Sequence, residues 1–289
     1  MNYILHILIM INIYMILGWS INLLVGFAGL LTLAHAAFYG IGAYTVTLLM
    51  MKFHLNFFLA LIIAIIFCGI ASYIVAYPSL RLKGDYFVLA TLGFQFIIFT
   101  ILYNWISLTR GPYGIPGIPR PTIFGKEIYS LPSFFVFTAI ISALTYLFIR
   151  VIYNSQFGLA LKSLREDEIA ASVLGKNVFK LKIYAFIIAC GLTAISGGLF
   201  ATYMSYIDPT SFTLDESIFI LSIVLIGGAG NLRGPLIGAV FMVILPEILR
   251  FIGLPNTIAP NVRQMIYGVL LIILMRYRPS GIAGEYKFE

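Results

Sequence analysis

Charged residues are scarce in this sequence. Lys, Arg, Asp and Glu make up 10% of the 289 residues, and none of them occurs before Lys52. A typical soluble domain carries about 25% charged residues. The hydrophobic share is 61% and the mean hydropathy is +1.01. This composition argues against a soluble enzyme, a disordered chain and a nucleic-acid-binding domain.

Cysteine and histidine are also rare. The two cysteines, Cys68 and Cys190, lie in apolar runs, as small core residues do, and form neither a disulfide framework nor a metal site. The three histidines, His6, His35 and His54, lack the spacing of metal ligands. We therefore expect no metal, no cofactor and no catalytic residue in this chain.

The sequence consists largely of long apolar runs that contain no Lys, Arg, Asp or Glu. A membrane-spanning helix needs about 20 mainly apolar residues, so these runs predict an all-α, polytopic integral membrane protein with about nine transmembrane helices. The last three runs are short, and they can span only if end charges reach the interface or if helices are broken. The predicted spans are 3–25, 31–50, 57–78, 86–104, 133–150, 183–205, 217–231, 235–251 and 261–276.

The cations predict the orientation of these spans. With nine spans, twelve of the 18 Lys and Arg residues fall in one set of alternating loops. Cytoplasmic loops carry an excess of Lys and Arg, so this set is predicted to be cytoplasmic. The N-terminus is then outside the cell, and the C-terminus is in the cytoplasm.

The longest polar stretch is 153–182. Its Leu161, Leu164 and Ile169 approximate the spacing of a helix, and Gly175 is a plausible helix stop. The pattern predicts one or two short amphipathic helices with a junction at 165–168. Such helices either lie on the lipid headgroups or dock into a groove of a soluble partner.

Several strings in the sequence resemble one family of transport proteins. Glu168-Ile-Ala-Ala-x-x-x-Gly175 is similar to the EAA loop of ABC-importer membrane subunits, the helix that docks on the ATPase. The fuller string 165–171 resembles the branched-chain amino acid permease family, in particular its LivM-type subunits. The later Leu-Pro element of the EAA pattern is missing after Gly175. Further strings resemble the same family in the same order, at 22–44, 80–87, 111–115 and 227–235.

The resemblance implies an ABC type II importer-like fold, in which two inverted four-helix repeats flank a central helix. The chain is then a single transmembrane permease domain over 1–289, with a cytoplasmic coupling loop at 153–182. The residues that the resemblance assigns to ATPase coupling are Arg165, Glu166, Asp167, Glu168, Ala170, Ala171 and Gly175.

The resemblance also implies a function. The chain is expected to be the permease subunit of an ATP-binding-cassette importer that carries leucine, isoleucine and valine across the inner or plasma membrane of a bacterium or archaeon. It would not be an enzyme itself, because separate subunits hydrolyse the ATP. The implied partners are a second homologous permease subunit, two cytoplasmic ATP-binding subunits, an extracytoplasmic substrate-binding protein and membrane lipid, but no nucleic acid.

Two other functions remain open at this point. Relatives of the family carry urea or short amides, and the sequence does not separate these substrates. An ion-coupled secondary transporter is the second alternative. Proton-coupled carriers place acids or histidine inside their spans, whereas every acid here lies at or near a span end. Sodium coupling through backbone carbonyls stays possible.

Two glycine clusters mark the predicted translocation path. A small amino acid needs a polar route through the membrane, and a helix broken at glycine exposes backbone along such a route. The alternative is that these glycines only allow close helix packing and that His35 is a packing histidine. The candidate path residues are Asn22, Gly26, Gly29, Thr32, His35, Gly227, Gly228 and Gly230.

Overall fold

The computed structural model describes residues 2–82, 84–123 and 126–250, together with 262, 265, 266, 268, 269, 272, 273, 276, 277 and 281–283. Half of the predicted ninth span, 261–276, therefore lies outside the described residues.

Helices dominate the described chain. A π-helix, Leu23–Phe27, extends the first of them, and two short antiparallel strand pairs lie in the loops: β1 Ile115–Pro116 with β4 Tyr206–Ile207, and β2 Thr122–Ile123 with β3 Lys126–Glu127. The α-helices are α1 Asn2–Asn22, α2 His35–Phe53, α3 Phe57–Ser79, α4 Asp85–Asn104, α5 Ile106–Thr109, α6 Leu131–Asn154, α7 Gln156–Glu166, α8 Glu168–Val173, α9 Val178–Met204, α10 Leu214–Gly227 and α11 Gly234–Arg250.

Six helical stretches among the described residues are long and apolar enough to cross a membrane. They are α2, α3, α4, α6, α9 and α1 with its π-helical extension. Helix α10 has only 14 residues, roughly 21 Å of helix, which is shorter than a hydrocarbon core of about 30 Å. The all-α polytopic fold is confirmed. The count of nine spans is not, because 217–231 and 235–251 correspond to a hairpin of two shorter helices.

Helix α9 lies at the centre of the bundle and packs closely on α2. A methyl group added to Gly42 would lie 2.5 Å from the Cα of Ala194, and one added to Gly197 would lie 2.6 Å from the backbone nitrogen of Ala43. Small residues let transmembrane helices approach until their backbones touch. These glycines therefore set the distance between the two helices.

The helical path is interrupted between α1 and α2. After the π-helix the chain is not helical from 29 to 34. Helix α2 begins at His35 beside the last turn of α1, and the Nε2 of His35 lies 3.2 Å from Ser20 Oγ. Non-helical backbone at membrane depth is tolerated where protein surrounds it. Leu30, Thr32 and Ala34 are accordingly buried.

A second interruption separates α10 from α11 at 228–233. At Gly227, Gly234 and Gly238 an added Cβ would overlap backbone atoms of the opposite arm of the hairpin, so the hairpin admits no side chain there. The N–H groups of Ile282 and Ala283 donate to Ile226 O and Gly227 O at 2.9 and 3.0 Å. A remote segment thereby satisfies carbonyls at the end of α10 that have no partner within that helix.

Candidate functional site

The polar stretch 153–182 contains two short helices, α7 and α8, between the end of α6 and the first turn of α9, which agrees with the predicted one or two short helices. The junction is Asp167, whose Oδ1 accepts hydrogen bonds from the N–H groups of Ile169 and Ala170 at 2.8 and 3.0 Å. This is an N-cap for α8. Gly175 follows the last turn with φ at 77°, and the next N–H, of Lys176, reaches back to Ala171 O at 3.2 Å. The predicted glycine stop is confirmed.

Helix α8 presents an apolar face to its surroundings. Ile169, Val173 and Leu174 expose 76%, 81% and 77% of their surface, although they lie in a polar segment. We call these three residues the α8 face. Large exposed apolar side chains of this kind mark a surface that contacts either a partner protein or the membrane. A salt bridge of 2.7 Å between Lys182 Nζ and Glu168 Oε2 holds α8 against α9.

The seven predicted coupling residues take different environments. Five of them are exposed: Glu166, Asp167, Glu168, Ala170 and Gly175. Ala171 is buried with 1% exposure, so it packs α8 onto the bundle. Arg165 is partly buried, and its side chain exposes only 11% of its surface.

Asn22 joins the two helix interruptions. Its Nδ2 donates to Asn231 O at 2.7 Å, and its Oδ1 accepts from the N–H of Gly230 at 3.1 Å. One turn earlier, Trp19 Nε1 donates to Leu232 O at 3.0 Å. A methyl group on Gly26 would lie 2.5 Å from Gly230 N. The end of α1 therefore holds the 228–233 loop by side-chain hydrogen bonds and by backbone contact.

The other predicted path residues occupy the same region, mostly out of contact with solvent. His35 is 1% exposed and lies against Ser20, whose Oγ is 3.1 Å from Thr193 Oγ1. Thr32 Oγ1 accepts from the N–H of Ala34 at 3.2 Å. Gly227 and Gly228 are buried in the α10–α11 hairpin.

Gly29 alone among the predicted path residues is exposed. It lines an open cavity of about 940 Å³ together with Arg81, Asp85, Glu168 and Lys182. The cavity lies between the first turn of α4 and α8. The interrupted segment after α1 therefore borders the space beside α8.

Gln95 is a further residue of this site that the sequence reasoning did not single out. Its Oε1 accepts from the N–H of Ala37 at 2.7 Å and lies 3.3 Å from Ser217 Oγ, and its Nε2 donates to Phe212 O at 2.8 Å. Ser217 Oγ accepts from the N–H of Ala36 at 2.9 Å. Side chains of α4 and α10 thus cap the first turn of α2, which begins inside the bundle. The available signal was a glutamine near the middle of the charge-free run 86–109.

The comparisons with known proteins cover nearly the whole chain. Residues 3–275 match the family described as branched-chain amino acid transport system / permease component. The high-affinity branched-chain amino acid transport system permease protein LivM of Escherichia coli K12 is 34% identical, over 93% of this chain and 67% of its own length. The probable LivM permease of Methanocaldococcus jannaschii is 30% identical, over 78% and 68%. LivH of Escherichia coli K12 is 23% identical, over 96% and 92%. No solved structure matches the chain.

The fold thus defines a multi-pass α-helical membrane protein whose relatives are named as transport permeases. The chain belongs to the family of branched-chain amino acid transport system permease components, and within that family it is more similar to LivM than to LivH.

We predict that Gln95→Leu destabilises the protein. The substitution leaves the N–H of Ala37, the hydroxyl of Ser217 and Phe212 O without their amide partner, and each stranded buried group costs about 1–3 kcal/mol. The free energy of unfolding in detergent, followed by thermal or SDS titration, should fall accordingly. Phe96→Leu, at an adjacent residue that is 52% exposed, is the control. Equal stability of the two variants would contradict the assigned role of Gln95.

Proposed function

We propose that the chain is the permease subunit of an ATP-binding-cassette importer for leucine, isoleucine and valine. The family match over residues 3–275 carries this proposal. The substrate is supported by the names of the LivM and LivH relatives. These amino acids combine an apolar side chain with two charges, whose transfer into hydrocarbon costs several kcal/mol or more without a protein route.

In this proposal the energy comes from separate ATP-binding subunits. The sequence lacks the Gly-Lys-Ser/Thr of a phosphate-binding loop after its glycine-rich stretch 227–234. The α8 face supplies an apolar surface for docking, with Glu166, Asp167, Glu168, Ala170 and Gly175 exposed beside it. The assembly would comprise two ATP-binding subunits, a second homologous permease and an external substrate-binding protein.

The two helix interruptions are proposed to form the gate of the translocation route. Here Asn22, Gly26 and Gly230 close on one another, while His35 and Thr32 lie sealed behind them. Broken helices concentrate backbone polar groups at membrane depth, which transporters use where a substrate passes. If Asn22 and the 228–233 loop moved apart, the backbone polar groups of both breaks would face the route. The substrate would then meet polar groups although no charged side chain is buried there.

We further propose that the α7–α8 end of the bundle faces the cytoplasm of a bacterial or archaeal cell. The excess of Lys and Arg in the corresponding loops supports this orientation. Residues 205–213 would then lie outside, where they contain Asp208 and no cation.

The substrate assignment predicts a specific response of the assembled transporter. With its partner subunits in proteoliposomes, leucine, isoleucine and valine with the binding protein should raise ATP hydrolysis and drive ATP-dependent uptake. Urea and acetamide are the matched controls and should do neither. A response to urea alone would make this a urea permease. Uptake driven by a sodium gradient without ATP would make it a secondary transporter.

The docking assignment predicts that Val173→Glu and Leu174→Glu release the ATP-binding subunit. Burying a large apolar side chain contributes ~1.5–3 kcal/mol, and ~1.4 kcal/mol is a factor of ten in affinity. Co-purification should therefore fall at least about tenfold. Tyr113→Glu, at an 80% exposed position at the opposite end of the bundle, adds the same charge and should have no effect. Undiminished co-purification of both α8 variants would exclude this face.

The orientation predicts which side of the membrane labels an introduced cysteine. Both native cysteines are buried, so they should give little background with a membrane-impermeant maleimide. Ser172→Cys, at an exposed position of α8, should label only in inverted vesicles, and Thr210→Cys only in intact cells. The opposite result would reverse the orientation.

A further inference from the structure

Two cations of α7 point toward the π-helix that ends α1. Arg165 Nη1 donates to Gly26 O, and Arg165 Nη2 contacts Glu166 Oε1 at 2.5 Å. Lys162, three residues earlier, places its Nζ 3.4 Å from the centre of the Tyr153 ring and 6.0 Å from that of Phe27. Residues three apart lie on one side of a helix. One side of α7 is therefore attached to the π-helix directly through Arg165 and indirectly through Lys162, which contacts Tyr153 of α6, the ring that packs on Phe27 at 5.3 Å.

The geometry around Arg165 leaves little freedom. Its side chain is only 11% exposed, and a partly buried charge requires partners to offset its lost hydration. Gly29 has φ at +65°, and a methyl group on it would lie 3.2 Å from Arg165 Cγ. The backbone of 26–29 thus lies directly against this side chain. π-helical turns occur frequently at functional sites.

The same turn is attached on its other side to the second interruption. Asn22, immediately before the π-helix, holds Gly230 and Asn231 by two hydrogen bonds of 3.1 and 2.7 Å. A continuous series of contacts therefore runs from α7, through the π-helix, to the 228–233 loop. The series links a surface helix to both places where the transmembrane helices are broken.

We propose that Arg165, assisted by Lys162, is the positioning residue that transmits movement of the α7–α8 segment to both helix interruptions. This rests on the proposed function, because it takes α8 as the docking site of an ATP-binding subunit. Arg165 itself is not part of the docking surface. Its side chain turns into the protein, whereas Ile169, Val173 and Leu174 point outward. A planar guanidinium holds two acceptors at once, which a single ammonium does not reproduce in the same geometry.

The test is the uptake obtained for each ATP hydrolysed by the assembled transporter in proteoliposomes. Arg165→Gln should lower this ratio about tenfold or more, since it removes a charge-assisted hydrogen bond, while the ATP-binding subunit still co-purifies. Lys162→Met should lower it less. Lys180→Gln, which removes an exposed cation from the first turn of α9, is the matched control and should keep the ratio of the unmodified chain.

A second readout follows the interrupted segment directly. Leu31→Cys places a reporter on the partly buried wall of the 940 Å³ cavity. Its maleimide labelling should change when ATP is added to the assembled transporter. The change should persist with Lys180→Gln and disappear with Arg165→Gln.

Three results would overturn the inference. The first is an unchanged ratio of uptake to ATP hydrolysis in Arg165→Gln. The second is a joint loss of uptake, hydrolysis and co-purification in that variant, which would mark a merely structural residue. The third is labelling of Leu31→Cys that does not change when ATP is added to the otherwise unmodified chain. Failure of the proposed function can be told apart from failure of this inference. In that case the unmodified assembly would show neither ATP hydrolysis nor uptake in response to leucine, isoleucine or valine.

Discussion

A peptide group that loses its helical partner inside a membrane must find another one, because the hydrocarbon offers none and each orphan costs several kcal/mol. The described chain has two helix interruptions in its interior. Several of its buried polar side chains form hydrogen bonds to the backbone groups left unpaired there. Gln95 and Ser217 receive the first N–H groups of α2. Asn22 takes one N–H and one C=O of the 228–233 loop. Without these side chains, the backbone groups that they bind would have no partner at the breaks.

These hydrogen bonds also require the two backbones to lie close together, and glycine makes that approach possible. Asn22 reaches the loop where Gly26, which has no side chain, lets the backbone at Gly230 come close. A Cβ on Gly26 would lie 2.5 Å from Gly230 N and closer still to Asn22 Oδ1, so a side chain there would push the loop and the Asn22 amide away. The two readings of the glycine clusters, close packing and helix interruption, are therefore compatible. Close packing is what allows the interruption to be sealed.

Much of the architecture was predictable, for identifiable physical reasons. Apolar run length predicts the long helices α2, α3, α4, α6 and α9, because the membrane imposes a minimum length. Local chemistry predicts α7 and α8, whose Asp167 cap and Gly175 stop act within a few residues. The site itself was harder to foresee. Asn22 and Gly230 are 208 positions apart, and nothing local to either residue indicates their pairing. The burial of Ala171 beside exposed neighbours likewise depends on which side α8 turns to the bundle.

The closure of α10 by Ile282 and Ala283 has a consequence for biosynthesis. These residues leave the ribosome more than fifty positions after the carbonyls that they satisfy. The last two carbonyls of α10 therefore lack these partners until the intervening chain has been translated. The α10–α11 hairpin is thus completed by a segment that is translated after both of its helices, whereas Asn22 and Trp19, which hold its loop, are translated before them.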